Sequence, residues 1–253
     1  MKITPITTDP VTSQDRDLLA VLDHILPVLR ERSIVAVTSK IVAICEGRVV
    51  RIGDTVKAAL VEEESEYFLP PSESQYGITL TIRHNLLVPT AGIDESNGDG
   101  HYVLWPHDPQ RSANQIRQHL AEHFSLREVG VLLTDSTSRP LRLGVTGVAL
   151  AHSGFAALHD YVGHSDIFGH HLARTKANIK DGLAAAAVLV MGEADEQTPL
   201  AIIEDLPFVT FQDRDPKEDE LAALRISLEN DLYAPLLTRA PWQAGKQAPP
   251  QRT

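Results

Sequence analysis

The run Val129-Gly130-Val131-Leu132-Leu133-Thr134-Asp135-Ser136-Thr137-Ser138-Arg139-Pro140 starts as an unbroken apolar stretch and ends in hydroxyls, a carboxylate and a proline. The short apolar part, Val129 to Leu133, predicts a buried strand. Asp135 keeps the parity of Val129, Val131 and Leu133, so it belongs to their face at the strand's C-terminal end. Open α/β sheets bind ligands at such ends. Ser33 to Val37 is short and rich in β-branched residues, which predicts a second buried strand, and Ser39-Lys40 follows it directly.

Working outward, strand patterns continue at Ile41–Ala43, Arg48–Ile52, Gly77–Ile82, Leu86–Val88, Ala201–Ile203 and Phe208–Phe211. Helical spacing marks residues 14–32, where Leu19, Leu22, Ile25, Leu26 and Leu29 form a stripe that Pro27 interrupts. Asp54 caps a helix predicted to reach Leu69, stopped by Pro70-Pro71. Asp108-Pro109 opens another, with Ala113, Ile116, Leu120 and Phe124 on one face. Residues 172–191 form the longest pattern, closed by Gly192 as a C-terminal cap. Residues 216–232 predict an amphipathic helix. The mixture predicts an α/β fold of mixed α+β character. Residues 1–240 read as a single catalytic region, divisible into two subdomains, and 241–253, with three prolines and no apolar periodicity, as a flexible tail. No repeat is evident.

The 253 residues are 43% hydrophobic and 23% charged, ordinary values for a globular chain, with a formal net charge of -11. That acidity argues against a nucleic-acid partner, which needs clustered Lys and Arg. A bound metal can still reverse the local sign for phosphorylated substrates. The single cysteine, Cys45, excludes internal disulfides and multi-thiolate zinc sites. No apolar stretch is long enough to span a bilayer and the start lacks the apolar run of a signal peptide, so a cytoplasmic protein with no membrane partner is expected.

Three acidic segments stand where strand or helix patterns end: Gly92-Ile93-Asp94-Glu95-Ser96-Asn97, Leu133 to Pro140, and Leu189-Val190-Met191-Gly192-Glu193-Ala194-Asp195-Glu196. Converging carboxylates repel unless a cation lies between them. Hard ions such as Mg²⁺ and Mn²⁺ take oxygen ligands of this kind and also hold substrate phosphates. A metal–nucleotide site is the chemical reading; three unrelated solvated turns have the same residue types. The chain has no P-loop, no Gly-x-Gly-x-x-Gly after a strand and no Gly-x-Ser-x-Gly elbow. His152, His159, His164, His170 and His171 match no compact zinc spacing and read as solvated or substrate-facing positions.

Read together, the segments resemble the coenzyme F420-0:L-glutamate ligase family, γ-glutamyl ligases that extend a deazaflavin coenzyme. The resemblance extends through Ser39-Lys40-Ile41-Val42, Glu46-Gly47-Arg48, Pro106-x-Asp108-Pro109-x-x-Ser112-Ala113, Arg139-Pro140-x-Arg142-x-Gly144, Asp160-Tyr161-x-Gly163-x-x-Asp166-x-Phe168-Gly169 and Met191-Gly192-Glu193. These blocks run from about residue 34 to 199. The resemblance implies a two-part fold in an intertwined homodimer, with GTP or ATP as co-substrate and Mg²⁺ or Mn²⁺ at two sites. Carried over by position, it implies metal ligation by Asp94, Asp135, Ser136 and Glu193. It implies nucleotide contacts from Ser39, Lys40, Asn97, Val188, Met191, Gly192 and Asp195. Arg139 and Arg142 are expected to be catalytic, neutralising phosphate or acceptor carboxylate.

The sequence departs from the family where Ile44 replaces a second lysine, Ser138 a glycine and Gly147 an asparagine, and where residues 62–75 are short. The implied reaction joins L-glutamate to the carboxylate of coenzyme F420-0 through an acyl phosphate. A folate acceptor within the same family is the alternative. A metal-dependent phosphohydrolase and a nucleotide-binding module are further rivals.

Overall fold

A computed structural model of the protein describes residues 1–74 and 76–249. The chain opens with β1 (Lys2–Ile6), α1 (Leu18–Ile25), β2 (Ser33–Thr38) and α2 (Ser39–Cys45). A smaller section follows, made of β3 (Val49–Arg51), α3 (Lys57–Glu64), β4 (Tyr67–Leu69), β5 (Leu80–Arg83), β6 (Leu86–Pro89) and β7 (His101–Val103). The chain then returns through α4 (Pro109–His123), β8 (Val129–Ser138) and β9 (Val145–Ser153). The hairpin strands β10 (Leu158–Asp160) and β11 (Lys176–Asn178), helix α5 (Ile179–Met191) and β12 (Leu200–Glu204) come next. Short α6 (Glu218–Ala222), α7 (Ala234–Leu237) and β13 (Gln243–Ala244) lie beyond.

The central sheet has the order β1-β12-β2-β8-β9, and β2 and β8 are its parallel pair. Alternation along β2 divides the core. Val35 and Val37 face α1 and α4 with Leu22, Ile116, Leu120, Val131 and Leu133. Ile34 and Ala36 face α5 with Leu132, Leu183, Ala184, Ala187 and Met191. Both faces are covered, so β2 is apolar from Ile34 to Val37. Truncating Leu132 to Ala there would cost about 2–5 kcal/mol. Opposite Ser136, Gly147 on β9 lies against α5, where a Cβ would meet the Ala184 carbonyl oxygen at 2.3 Å. Among the described residues, no helix is long and apolar enough to cross a membrane.

Several expectations are corrected. Ile41–Ala43 is helical, inside α2, because Ile41 to Cys45 are all buried and packing overrides the β preference of their branched side chains. Asp54 does not cap α3; the cap is Val56, and the chain turns into β4 before Pro70. Residues 172–178 form the end of the β10–β11 hairpin, and α5 starts where Asn178 and Asp181 cap each other. Phe208–Phe211 makes only an isolated bridge from Phe211 to Phe155. Residues 216–232 hold one short helix, since Ile226 and Leu232 share no buried face. The 241–253 segment, expected to be loose, pairs Gln243–Ala244 with β4 and bonds back to Glu62, Ser65 and Glu66; residues 250–253 lie outside the described residues.

Candidate active site

The parallel strands β2 and β8 stop pairing at Thr38 and Thr134. Beyond that point β2 turns into α2, capped by Thr38, while β8 continues beside β9. The divergence opens a cleft of about 560 Å³ at the strands' carboxyl ends. Its wall carries Thr38, Lys40 and Ile44 from β2 and α2, and Thr134, Asp135 and Ser136 from β8. Asp94, Ser96 and Asn97 enter from the loop between β6 and β7. Val188, Met191 and the loop Gly192–Glu196 close the far side.

Each segment is held in place. Asp94 pairs its backbone with Val103, and its Oδ1 accepts from the amides of Glu95 and Ser96 at 2.6 and 2.9 Å. Asn97, at φ 54, donates from Nδ2 to the Ala194 carbonyl at 2.8 Å, which joins the first acidic segment to the third. Gly192 ends α5 at φ 84, a conformation that favours glycine. The Glu196 carboxylate accepts from the Ala194 amide at 2.8 Å and folds that loop onto itself.

The electrostatics centre on Lys40, Asp94 and Asp135. Lys40 Nζ lies 2.7 Å from Asp94 Oδ2 and donates to the Ser96 carbonyl at 2.8 Å. Burial opposes ionisation of Asp94, but Lys40 and Ser96 outweigh it and hold its carboxyl below the usual carboxylate range. Asp135 accepts from the Ser136 amide at 2.8 Å and from the Trp105 indole. Burial pushes its carboxyl up to about 6, and the Asp94 charge adds to the rise.

The donors here are all oxygen: the Asp94, Asp135 and Glu193 carboxylates and the Ser136 hydroxyl. They suit hard divalent ions rather than zinc or copper. Asp94, Asp135 and Glu193 share the cleft without forming one tight three-carboxylate cage. An open cleft of oxygen donors suits Mg²⁺-type ions, which keep several waters and complete their shell with phosphate oxygens.

Of the residues expected at the site, Lys40, Asp94, Asn97, Asp135, Ser136, Val188, Met191, Gly192, Glu193 and Asp195 do line the cleft. Ser39 is buried in the first turn of α2, and Arg139 and Arg142 stand exposed at the β8–β9 tip. The five histidines do not gather. His152 is buried inside β9, contrary to a solvated or substrate-facing place, while His164, His170 and His171 are exposed on the β10–β11 hairpin.

Three contributions were not anticipated. Thr8 to Thr12 forms one wall, signalled only by the turn-forming Asp9-Pro10. Trp105, 1% exposed, bonds Asp135. Behind it Glu64 pairs with Arg48 and Arg83, each at 2.5 Å. Arg48 donates to the Trp105 carbonyl, while Arg83 donates to the Ala91 carbonyl just before the first acidic segment.

Fold and cleft together define a class of α/β protein with an oxygen-rich acidic crevice at the ends of parallel strands. The chain belongs to the F420-0:Gamma-glutamyl ligase family, whose profile matches residues 6–205. It is 40% identical over 141 residues to the coenzyme F420:L-glutamate ligase of Methanococcus maripaludis strain C6, covering 56% of each chain. It is 43% identical over 130 residues to the protein of that name from Methanopyrus kandleri, covering 51% of each. The Methanocaldococcus jannaschii protein of that name is 40% identical over 149 residues, 57% of this chain and 59% of its own. The chain spans about half the length of the curated relatives it matches.

Proposed function

We propose that this chain is a γ-glutamyl ligase that uses GTP or ATP and Mg²⁺ or Mn²⁺ to join L-glutamate to the carboxylate of coenzyme F420-0 or a related acceptor. The observation that carries the reading is the single cleft in which Lys40, Asp94, Asn97, Asp135, Ser136 and Glu193 meet. Family membership and the names of the relatives support the same activity.

A carboxylate resists an amine because oxide would have to leave. In the proposed route an acceptor carboxylate oxygen attacks the nucleotide γ-phosphorus, the bond to the bridging oxygen breaks and nucleoside diphosphate departs. The glutamate nitrogen then attacks the acyl carbon, the C–O bond to phosphate breaks, inorganic phosphate leaves and the nitrogen loses a proton. Divalent ions held by Asp94, Asp135, Ser136 and Glu193 would neutralise phosphate charge. Positioning does most of the remaining work in phosphoryl transfer. Lys40, held by Asp94 and Ser96, places a positive charge in the cleft wall that would attract phosphate oxygens. The loop Gly192–Asp195, tied to Asn97, gives the nucleotide a second wall.

Ile44 makes the wall apolar one helical turn beyond Lys40, where the family carries a second lysine, and this favours testing a folate acceptor beside the deazaflavin. A homodimer is part of the reading. Leu141 and Leu143 on the β8–β9 tip, and Ile167 and Phe168 on the β10–β11 hairpin, are at least 80% exposed and suit burial against a second copy. The test is incubation with GTP or ATP, Mn²⁺, L-glutamate and a panel of deazaflavin and folate acceptors, read by mass. A gain of one glutamyl unit with phosphate release is expected. Nucleotide hydrolysis regardless of glutamate, with no acceptor changed, would favour a phosphohydrolase. Tight nucleotide binding without turnover would favour a binding module.

A further inference from the structure

On the face of the sheet covered by α1 and α4, three side chains outside the cleft converge. His119 and His123 are four residues apart on α4, so they project from one side of the helix. Asp23 reaches them from α1. Its Oδ1 lies 2.6 Å from His119 Nε2 and 3.2 Å from His123 Nδ1. The two imidazole rings are 5.7 Å apart. Among the described residues, this is the one group of three His, Cys, Asp or Glu side chains whose donor atoms all lie within 4.8 Å of one another. None of the three lines the cleft.

We infer that Asp23, His119 and His123 form a site for a transition-metal cation of the zinc class, which clips α1 to α4. Two imidazole nitrogens and one carboxylate oxygen are the donor set of an open zinc site, with a fourth position left to water. Nitrogen donors favour Zn²⁺, Ni²⁺ or Cu²⁺ over Mg²⁺, so the site is chemically distinct from the all-oxygen cleft. The arrangement lies at the surface: His119 keeps 24% of its side chain exposed, Asp23 33% and His123 41%. Without a cation, one carboxylate oxygen faces two imidazole nitrogens, each of which needs a proton to donate to it. With a cation, the three lone pairs share one acceptor.

The fold gives such a clip a purpose. Helix α1 has eight residues, too few to hold a helix by itself, and Leu22 is its one buried residue. Leu22 belongs to the same core as Ala113, Ile116 and Leu120 of α4. A cation across the solvent edge of that contact would fasten the side that apolar packing leaves open.

The test is calorimetric titration of metal-free protein with Zn²⁺ in saturating Mg²⁺, which occupies the carboxylates of the cleft. Wild type, His123→Ala, Asp23→Asn and the double variant D94N/D135N are compared, with circular dichroism to check folding. Wild type and D94N/D135N should each show the site and a higher Tm with Zn²⁺. His123→Ala and Asp23→Asn should bind about tenfold or more weakly and lose the rise in Tm. Co²⁺ in its place should give the intense visible absorption of a low-coordinate site in wild type and D94N/D135N and in neither ligand variant. No saturable Zn²⁺ binding in wild type, an unchanged isotherm in both ligand variants, or loss of the site in D94N/D135N would overturn the assignment. No readout depends on ligase activity, so the inference stands or falls apart from the proposed function.

Discussion

The indole N–H of Trp105 donates to the carboxylate of Asp135, tying the segment that follows β7 to the cleft end of β8. Trp105 is itself wedged. A Cβ on Gly92, at φ +72, would meet its ring at 2.1 Å, and the Arg83 guanidinium lies 5.3 Å from its ring centre. The bond therefore fixes the direction in which Asp135 presents its second oxygen. Trp105→Phe keeps most of the volume and removes the donor. Its apparent affinity for the activating metal should fall about tenfold, as when an outer hydrogen bond to a ligand is removed. Metal-concentration dependence of turnover measures it, and an affinity equal to wild type would refute the positioning role.

Asp94 and Asp135 face the cleft from different elements, and both are expected to hold cations. Asp94→Asn and Asp135→Asn keep the side-chain shape and remove the charge. Each should reduce Mg²⁺- or Mn²⁺-dependent turnover to background, with circular dichroism unchanged. Near-normal rates with the same metal dependence in both variants would end the metal assignment.

The carboxylate end of β8 was legible because a buried strand has a simple signature, and parity alone put Asp135 on a defined face. The helix start at Asp108 was legible too: its side chain accepts from the Arg111 amide, with Pro109 first in the helix. What escaped depends on contacts distant in sequence. Trp105 reaches Asp135 across 30 positions, and Thr8–Thr12 joins the cleft because β1 pairs with β12. Ile41 to Ala43 misled because branched residues favour strands while burial against β2 and β7 dictates a helix. Gly147 is a departure whose reason only the packing reveals, since α5 leaves no room for a side chain there. The convergence of the three acidic segments came from family resemblance, not from local pattern, and Asn97 bonding Ala194 joins the first of them to the third.

Glu64 is the single anion between two guanidiniums, and both it and Arg83 are buried. Burial, only partly offset by Glu64, brings the Arg83 guanidinium down to about 10. Glu64→Gln removes the charge and leaves Arg48 and Arg83 repelling in a poorly solvated place. The loss of stability should be about 3 kcal/mol or more, the scale seen when one partner of a buried pair is deleted. Urea denaturation measures it. A change within about 0.5 kcal/mol, ordinary for a surface substitution, would show that the network is solvated.

His152 gives the fold a pH dependence. It is 3% exposed, and burial followed by the charge of Lys180 lowers its imidazole to about 4 from an ordinary 6.5. The native state therefore binds fewer protons than the unfolded chain between those values. Stability from this group is fully present above pH 6.5 and declines as the pH falls towards 4. His152→Asn should flatten that limb of the stability curve even if it lowers the plateau. Thermal melts from pH 4 to 7 decide it; equal slopes for the two proteins would exclude His152 as the source.

Leu141 and Leu143 are completely exposed at the tip between β8 and β9, and Arg139 and Arg142 sit on the same tip away from the cleft. Four residues of this kind on one projection make sense if a second copy covers the leucines and receives the arginines. Closed two-fold pairing is the commonest way to bury such a patch. Light scattering should give twice the 27.7 kDa of one chain. Leu143→Asp places a charge in the contact and should shift the mass towards one chain, with a matching loss of turnover. Arg139→Ala and Arg142→Ala should lower turnover while the mass stays dimeric, because they remove cations rather than apolar contact. A wild-type mass of one chain at working concentration would refute the dimer. Full activity in both arginine variants would leave these side chains with no part in the reaction.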